Sequence, residues 1–151
     1  MAKTRFGFIS NSSSSSFIVI SNRGNYGFPD WYKGKEFVVD NNTGETGFGW
    51  GPRTYCDFGS KLIFAYFQAE MINKTEWINL LEEVVKEGTG ASSIVWKVST
   101  NDEWDSPDHG YIDHQSASIE YRNIEMFDSK ETLKDFLFNS QSYIELDNDN
   151  H

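Results

Sequence analysis

Residues 57–72 read Asp57-Phe-Gly-Ser-Lys-Leu-Ile-Phe-Ala-Tyr-Phe-Gln-Ala-Glu-Met-Ile72. Asp57 can offer a side-chain oxygen to the unpaired amides of a helix that starts after it. Leu62, Ile63, Phe64, Ala65, Tyr66 and Phe67 are consecutive and apolar. A helix through them has no polar face to turn to water, so it must be buried nearly all round. The stretch therefore predicts the central helix of the core, running to about Ile72.

Working downstream, Asn73-Lys-Thr-Glu76 has the spacing of a capping box, with Asn in place of the preferred Ser or Thr. Trp77, Leu80, Leu81, Val84 and Val85 follow at helical spacing, and Gly88 is placed to end this second helix. Ile94-Val-Trp-Lys-Val98 predicts a strand with Ile94, Trp96 and Val98 on one face. Residues 110–117 and 118–121 can form a long, partly polar strand. Residues 124–127 read as a short extended piece. Asp128-Ser-Lys-Glu131 again has capping-box spacing and opens a third helix, whose apolar stripe is Leu133, Phe136 and Leu137. Tyr143-Ile-Glu-Leu146 adds a last strand, and residues 147–151 a polar tail expected to fray.

Upstream of the central helix, Phe17-Ile-Val-Ile20 is a continuous run of β-formers, as in a buried strand. Gly24, Gly27, Pro29 and Gly34 make residues 21–35 a loop. Lys35-Glu-Phe-Val-Val39 is a second strand, and Asp40-Asn-Asn-Thr-Gly44 carries turn chemistry. Residues 45–51 could return as its hairpin partner, although Gly47-Phe-Gly-Trp-Gly51 is glycine-rich for a strand. Strands and helices are grouped rather than alternating. That predicts an α+β fold: a small, largely antiparallel sheet with about three helices packed on one face. The domain would span residues 17–146, after a serine-rich leader at 1–16.

Composition narrows the class. A chain of 151 residues is long enough for one domain with its own core. A formal net charge of −10 argues against a nucleic-acid backbone or an anionic membrane as partner. It leaves a basic protein surface, or solubility alone, as reasons for the charge. Cys56 is the single cysteine, so no intrachain disulfide can form, which fits a reducing cytoplasm. Beside Asp57, its thiol reads as a small buried apolar group rather than a nucleophile. No apolar run approaches the ~20 residues of a membrane span, and residues 1–16 lack the apolar core of a signal peptide.

Five consecutive serines, Ser12 to Ser16, form the low-complexity part of the leader. Alone they cannot offset their ordering entropy. Phe8 and Phe17 flank them, so the run is expected to be ordered where it meets the first strand. The string Gly7-Phe-Ile-Ser-Asn11, then the serines, then Phe17, resembles the start of a set of uncharacterised phage and bacterial proteins. The resemblance covers about the first seventeen residues. It implies a viral or bacterial origin, hence a bacterial cytoplasm, and carries no assigned chemistry.

Residues 102–116, Asp-Glu-Trp-Asp-Ser-Pro-Asp-His-Gly-Tyr-Ile-Asp-His-Gln-Ser, concentrate the polar chemistry. Asp108, His109, Asp113 and His114 are the candidate ligands for a divalent metal, because imidazole with carboxylate suits zinc, iron or manganese. Pro107 and Gly110 argue against a helix here. On a strand, His109 could share a face with Asp113, and Asp108 with His114. The plain alternative is a turn around Pro107 and Gly110 with surface histidines. Asp113, His114 and Ser116 hold the residue types for acid–base or nucleophilic catalysis, the basis of a metal-dependent hydrolase reading. The carboxylate spacing does not match a calcium loop. Residues 44–51 lack the Lys-Ser/Thr ending of a phosphate loop, and Glu45 would repel phosphate.

The remaining reading is a binding module. Trp31, Tyr32, Phe48, Trp50, Trp104 and Tyr111 lie outside the periodic elements. Loop aromatics beside carboxylates suit recognition of a basic or aromatic partner, although some could instead close the ends of a small core. Trp50, Trp104, Asp105 and Tyr111 are the candidate binding residues. The function expected first is that of an accessory protein binding a host or viral protein; the hydrolase comes second.

Overall fold

In the computed structural model, helix α1 spans Phe58–Ile72, and every residue from Gly59 to Ala69 except Tyr66 is buried. The structure describes residues 14–27, 32–48, 53–100, 111–112 and 124–148. Asp57 caps α1, its carboxylate accepting from the Ser60 amide at 2.9 Å. Around α1 stand strands β1 (Ser14–Val19), β2 (Glu36–Val39), β3 (Gly47–Phe48) and β4 (Arg53–Tyr55), then α2 (Thr75–Thr89), β5 (Ser93–Trp96), β6 (Tyr111–Ile112), a short 3-10 turn (Glu125–Phe127), α3 (Lys130–Phe138) and β7 (Tyr143–Asn148). The three helices pack on one another, and the fold is α+β as expected.

The last strand is the middle one. β7 pairs antiparallel with β1 on one side (Ile18 opposite Ile144) and with β4 on the other (Tyr55 opposite Ile144). Ile144 and Leu146 are buried while Tyr143 and Glu145 are half-buried, the alternation of a strand with one face on the core. β1 begins within the serine run, Ser14, Ser15 and Ser16 lying opposite Asn148, Asp147 and Leu146. Asp147 and Asn148 therefore belong to the strand, not to a frayed tail.

Two further pairs are parallel: β2 with β5 and β3 with β6. Among the described residues, β2 and β3 do not pair in the hairpin expected from residues 35–51; the turn after β2 packs on α1 instead. The Asp40 carbonyl accepts from the Thr43 amide at 3.0 Å, closing the turn. Gly59 then lies so close to it that a Cβ there would meet the Thr43 carbonyl oxygen at 1.9 Å, and one at Gly44 would meet the Ser60 nitrogen at 2.4 Å. Docked this way, the chain leaves β2 for a different partner strand.

Several element ends differ from their sequence signals, each for a local reason. Asn73 does not cap α2. It closes α1 at φ 65°, a left-handed conformation that Asn tolerates, and α2 starts after Lys74 with no side-chain cap. Gly88 does not end α2, which runs on to Gly90 at φ 77°. Gly88 is a packing glycine, since a Cβ would lie 2.3 Å from the Phe138 ring. Ser129, not Asp128, caps α3, accepting from the Thr132 amide at 3.0 Å. Residues 124–127 are not extended. Met126 and Phe127 are adjacent and both buried. A strand would send them to opposite faces, whereas a 3-10 turn turns both inward. Phe127 then stacks on Trp77 at 4.5 Å.

Among the described residues, no helix is long and apolar enough to cross a membrane. Of the long strand expected at 110–121, Tyr111 and Ile112 are strand and the rest lies outside the described residues.

Candidate functional site

The scaffold holds the chain just before the acidic segment and again within it, at Tyr111 and Ile112. On the entry side, Trp96 of β5 stacks on Tyr66 of α1 at 4.0 Å with the rings nearly coplanar in orientation. Its indole N–H donates to Glu82 of α2 at 2.7 Å, and Val98 is buried. Glu70, near the end of α1, then accepts from the Ser99 hydroxyl at 2.9 Å, the Thr100 amide at 2.8 Å and the Thr100 hydroxyl at 3.0 Å. One carboxylate with three donors is a firm tie, because hydrogen bonds to a charged acceptor are the stronger kind. It sits immediately before residue 101, where the acidic segment begins.

On the exit side, Tyr111 and Ile112 pair with Gly47 and Phe48. Phe48 is fully buried and meets Phe64 and Phe67 of α1 edge-on, at 5.2 and 6.4 Å between ring centres. The approach to β3 is held too. Glu45 accepts from the Gly47 amide at 2.9 Å and from the Tyr55 hydroxyl at 3.3 Å. The Tyr55 phenol is raised above its usual pKa by burial first and then by the Glu45 charge. Because β3 and β6 are parallel, Phe48 and Ile112 mark the same end of the pair.

Trp50, Trp104, Asp105, Asp108, His109, Asp113, His114 and Ser116 lie outside the described residues. Tyr111 is placed by its main chain in β6. Among the described residues, no group of three or more His, Cys, Asp or Glu could hold a metal. Two aromatics singled out as loop residues belong to the core: Phe48, and Tyr32, which stacks on Phe37 at 4.0 Å. Cys56 is exposed, not buried. It lies between β4 and the Asp57 cap of α1, where Asp57 is exposed as well.

A second polar centre carries no sequence motif. Lys61 is 1% exposed within α1. Its ammonium donates to the main-chain carbonyls of Asn139 and Ser142, each at 3.0 Å. Burial lowers its pKa from 10.5 to about 8, against the smaller opposing pull of Cys56 and Asp57. The turn it supports clasps residues 21–27. Asn139 accepts from the Gly24 amide at 3.1 Å, Ser140 from the Asn25 amide at 3.1 Å and Ser142 from the Ser21 amide at 2.8 Å. The Tyr26 hydroxyl donates to the Asp135 carboxylate. That hydrogen bond is the main cause of the raised Tyr26 pKa. This clasp fixes the path of residues 21–27 after β1. The available signal was a lone lysine just ahead of the apolar run 62–67, with Asn139 and Ser142 just past a helix end.

In three comparisons, no protein-family model, no curated protein and no solved structure matches the chain.

Proposed function

We propose that this is a small acidic accessory protein, encoded by a phage or its bacterial host and acting in the bacterial cytoplasm, that binds another protein through residues 102–116 together with Trp50. The observation that carries the reading is that the chain is tied to the scaffold just before that segment, by Glu70 at Thr100, and again within it, by β3 at Tyr111. A stretch held at two points, as residues 101–110 are, loses less conformational freedom on binding than a free tail, which favours its use in recognition. Its charge states the partner chemistry. Between Lys97 and Arg122 there is no Lys or Arg, while Asp102, Glu103, Asp105, Asp108, Asp113 and Glu120 are all carboxylates. Such a surface speeds encounter with a basic protein face and repels nucleic acid. Trp104, Tyr111 and Trp50 supply ring area of the kind that anchors interfaces.

The test is a pull-down from the native host, comparing the wild-type chain with a variant carrying Asp102→Asn, Asp105→Asn and Trp104→Ala. A specific protein retained at low salt by the wild type, released as salt rises and not retained by the variant, is the expected result. Equal capture by both chains would remove the segment from the interaction. Stoichiometric divalent metal in untagged protein, lost on replacing His109 or His114, would favour the metal-dependent hydrolase centred on Asp108, His109, Asp113 and His114 instead.

A further inference from the structure

We draw no further inference here: the strongest candidate, the buried amino group of Lys61 beneath the turn between α3 and β7 with the exposed Cys56 just ahead of the same helix, belongs to the clasp already described, and what would remain to suggest chemistry is a lowered pKa and a lone cysteine with no ligand to point to.

Discussion

Two sets of contacts along α1 hold the molecule together by different means. Toward β3, Phe64 and Phe67 meet Phe48 with nothing but carbon in contact. Toward the turn between α3 and β7, Lys61 reaches two main-chain carbonyls. The apolar side is stabilised by area removed from water and tolerates many shapes. The polar side contributes little net energy per bond but penalises any arrangement that leaves a buried partner unmatched. The first kind of contact therefore supplies stability, and the second selects which turn docks where. The largest expected effect lies on the apolar side. Phe64→Ala should cost about 3–5 kcal/mol in urea unfolding, the range for emptying an aromatic site in a closed core. A loss below about 1 kcal/mol would mean that the core collapses around the gap and that the ring contacts with Phe48 matter little.

Lys61→Met breaks the polar side while keeping the length of the side chain. It strands the Asn139 and Ser142 carbonyls, at roughly 1–3 kcal/mol for an unmatched buried group, and relieves the burial of a charge. The net effect should be a destabilisation smaller than that of Phe64→Ala. The pH dependence separates the two sides more sharply. Folded Lys61 releases its proton near pH 8, while the unfolded chain holds it to about 10.5. Between those values the unfolded state binds more protons, so this residue's contribution to stability rises with pH. It is fully present above 10.5 and lost as pH falls through about 8. Urea midpoints of the wild type relative to Lys61→Met should therefore increase from pH 8 to pH 10. The same comparison against Phe64→Ala contains the full wild-type slope in both chains and should stay flat. A flat difference for Lys61→Met would show that the lysine titrates normally and that its burial is relieved by local opening.

The same contrast explains what could be read from the chain. An all-apolar run such as 62–67 has few ways to satisfy itself, so α1, its cap at Asp57 and its burial were legible. The stripes through Leu81, Val84 and Val85 and through Leu133, Phe136 and Leu137 were legible for the same reason. Pairing was less so. Val38 and Val39 mark a strand but not its neighbour, and the parallel partner at Val95 and Trp96 lies beyond two helices. The missing hairpin turned on the close approach of Gly44 and Gly59, a tertiary fit invisible in local turn chemistry. The clasp was hidden because main-chain carbonyls, which every residue has, are the acceptors for Lys61. In the candidate segment, residue types were readable, while its attachment depends on Glu70, a helical glutamate that no motif singles out.

Ser142→Ala probes the clasp one bond further from the helix. It removes the acceptor for the Ser21 amide and the donor to the Asp135 carbonyl. About 1–2 kcal/mol should be lost, in line with one buried hydroxyl serving both roles. Amide exchange should quicken at residues 21–27 before it quickens in α1. Uniform quickening would mean that the clasp opens only with global unfolding and that the two sets of contacts along α1 are not energetically distinct. Deleting residues 1–16 tests the outermost contact, the pairing of Ser14 to Ser16 with Asn148 to Leu146. Each net main-chain bond is worth about 0.5–1.5 kcal/mol, so the melting temperature should fall by a few degrees. An unchanged melt would show that the serine part of β1 adds nothing to the sheet.

The smallest effect on stability should come from the candidate segment itself, and there the contrast is between folding and binding. His109 and His114 each follow an aspartate in a span that gathers like charge. Such crowding opposes folding unless a cation, a basic partner or an imidazolium offsets it. The described ties to the scaffold, Glu70 at Ser99 and Thr100 and the pairing of β6 with β3, use none of these charges. His109→Gln and His114→Gln, made singly, should therefore shift the urea midpoint by no more than about 0.5 kcal/mol, the usual range for surface changes. The same variants should weaken capture of the partner several-fold. If both variants instead melt at markedly lower temperature with capture unaltered, the histidines belong to the fold. The acidic segment would then be a structural extension of the scaffold and not its recognition loop.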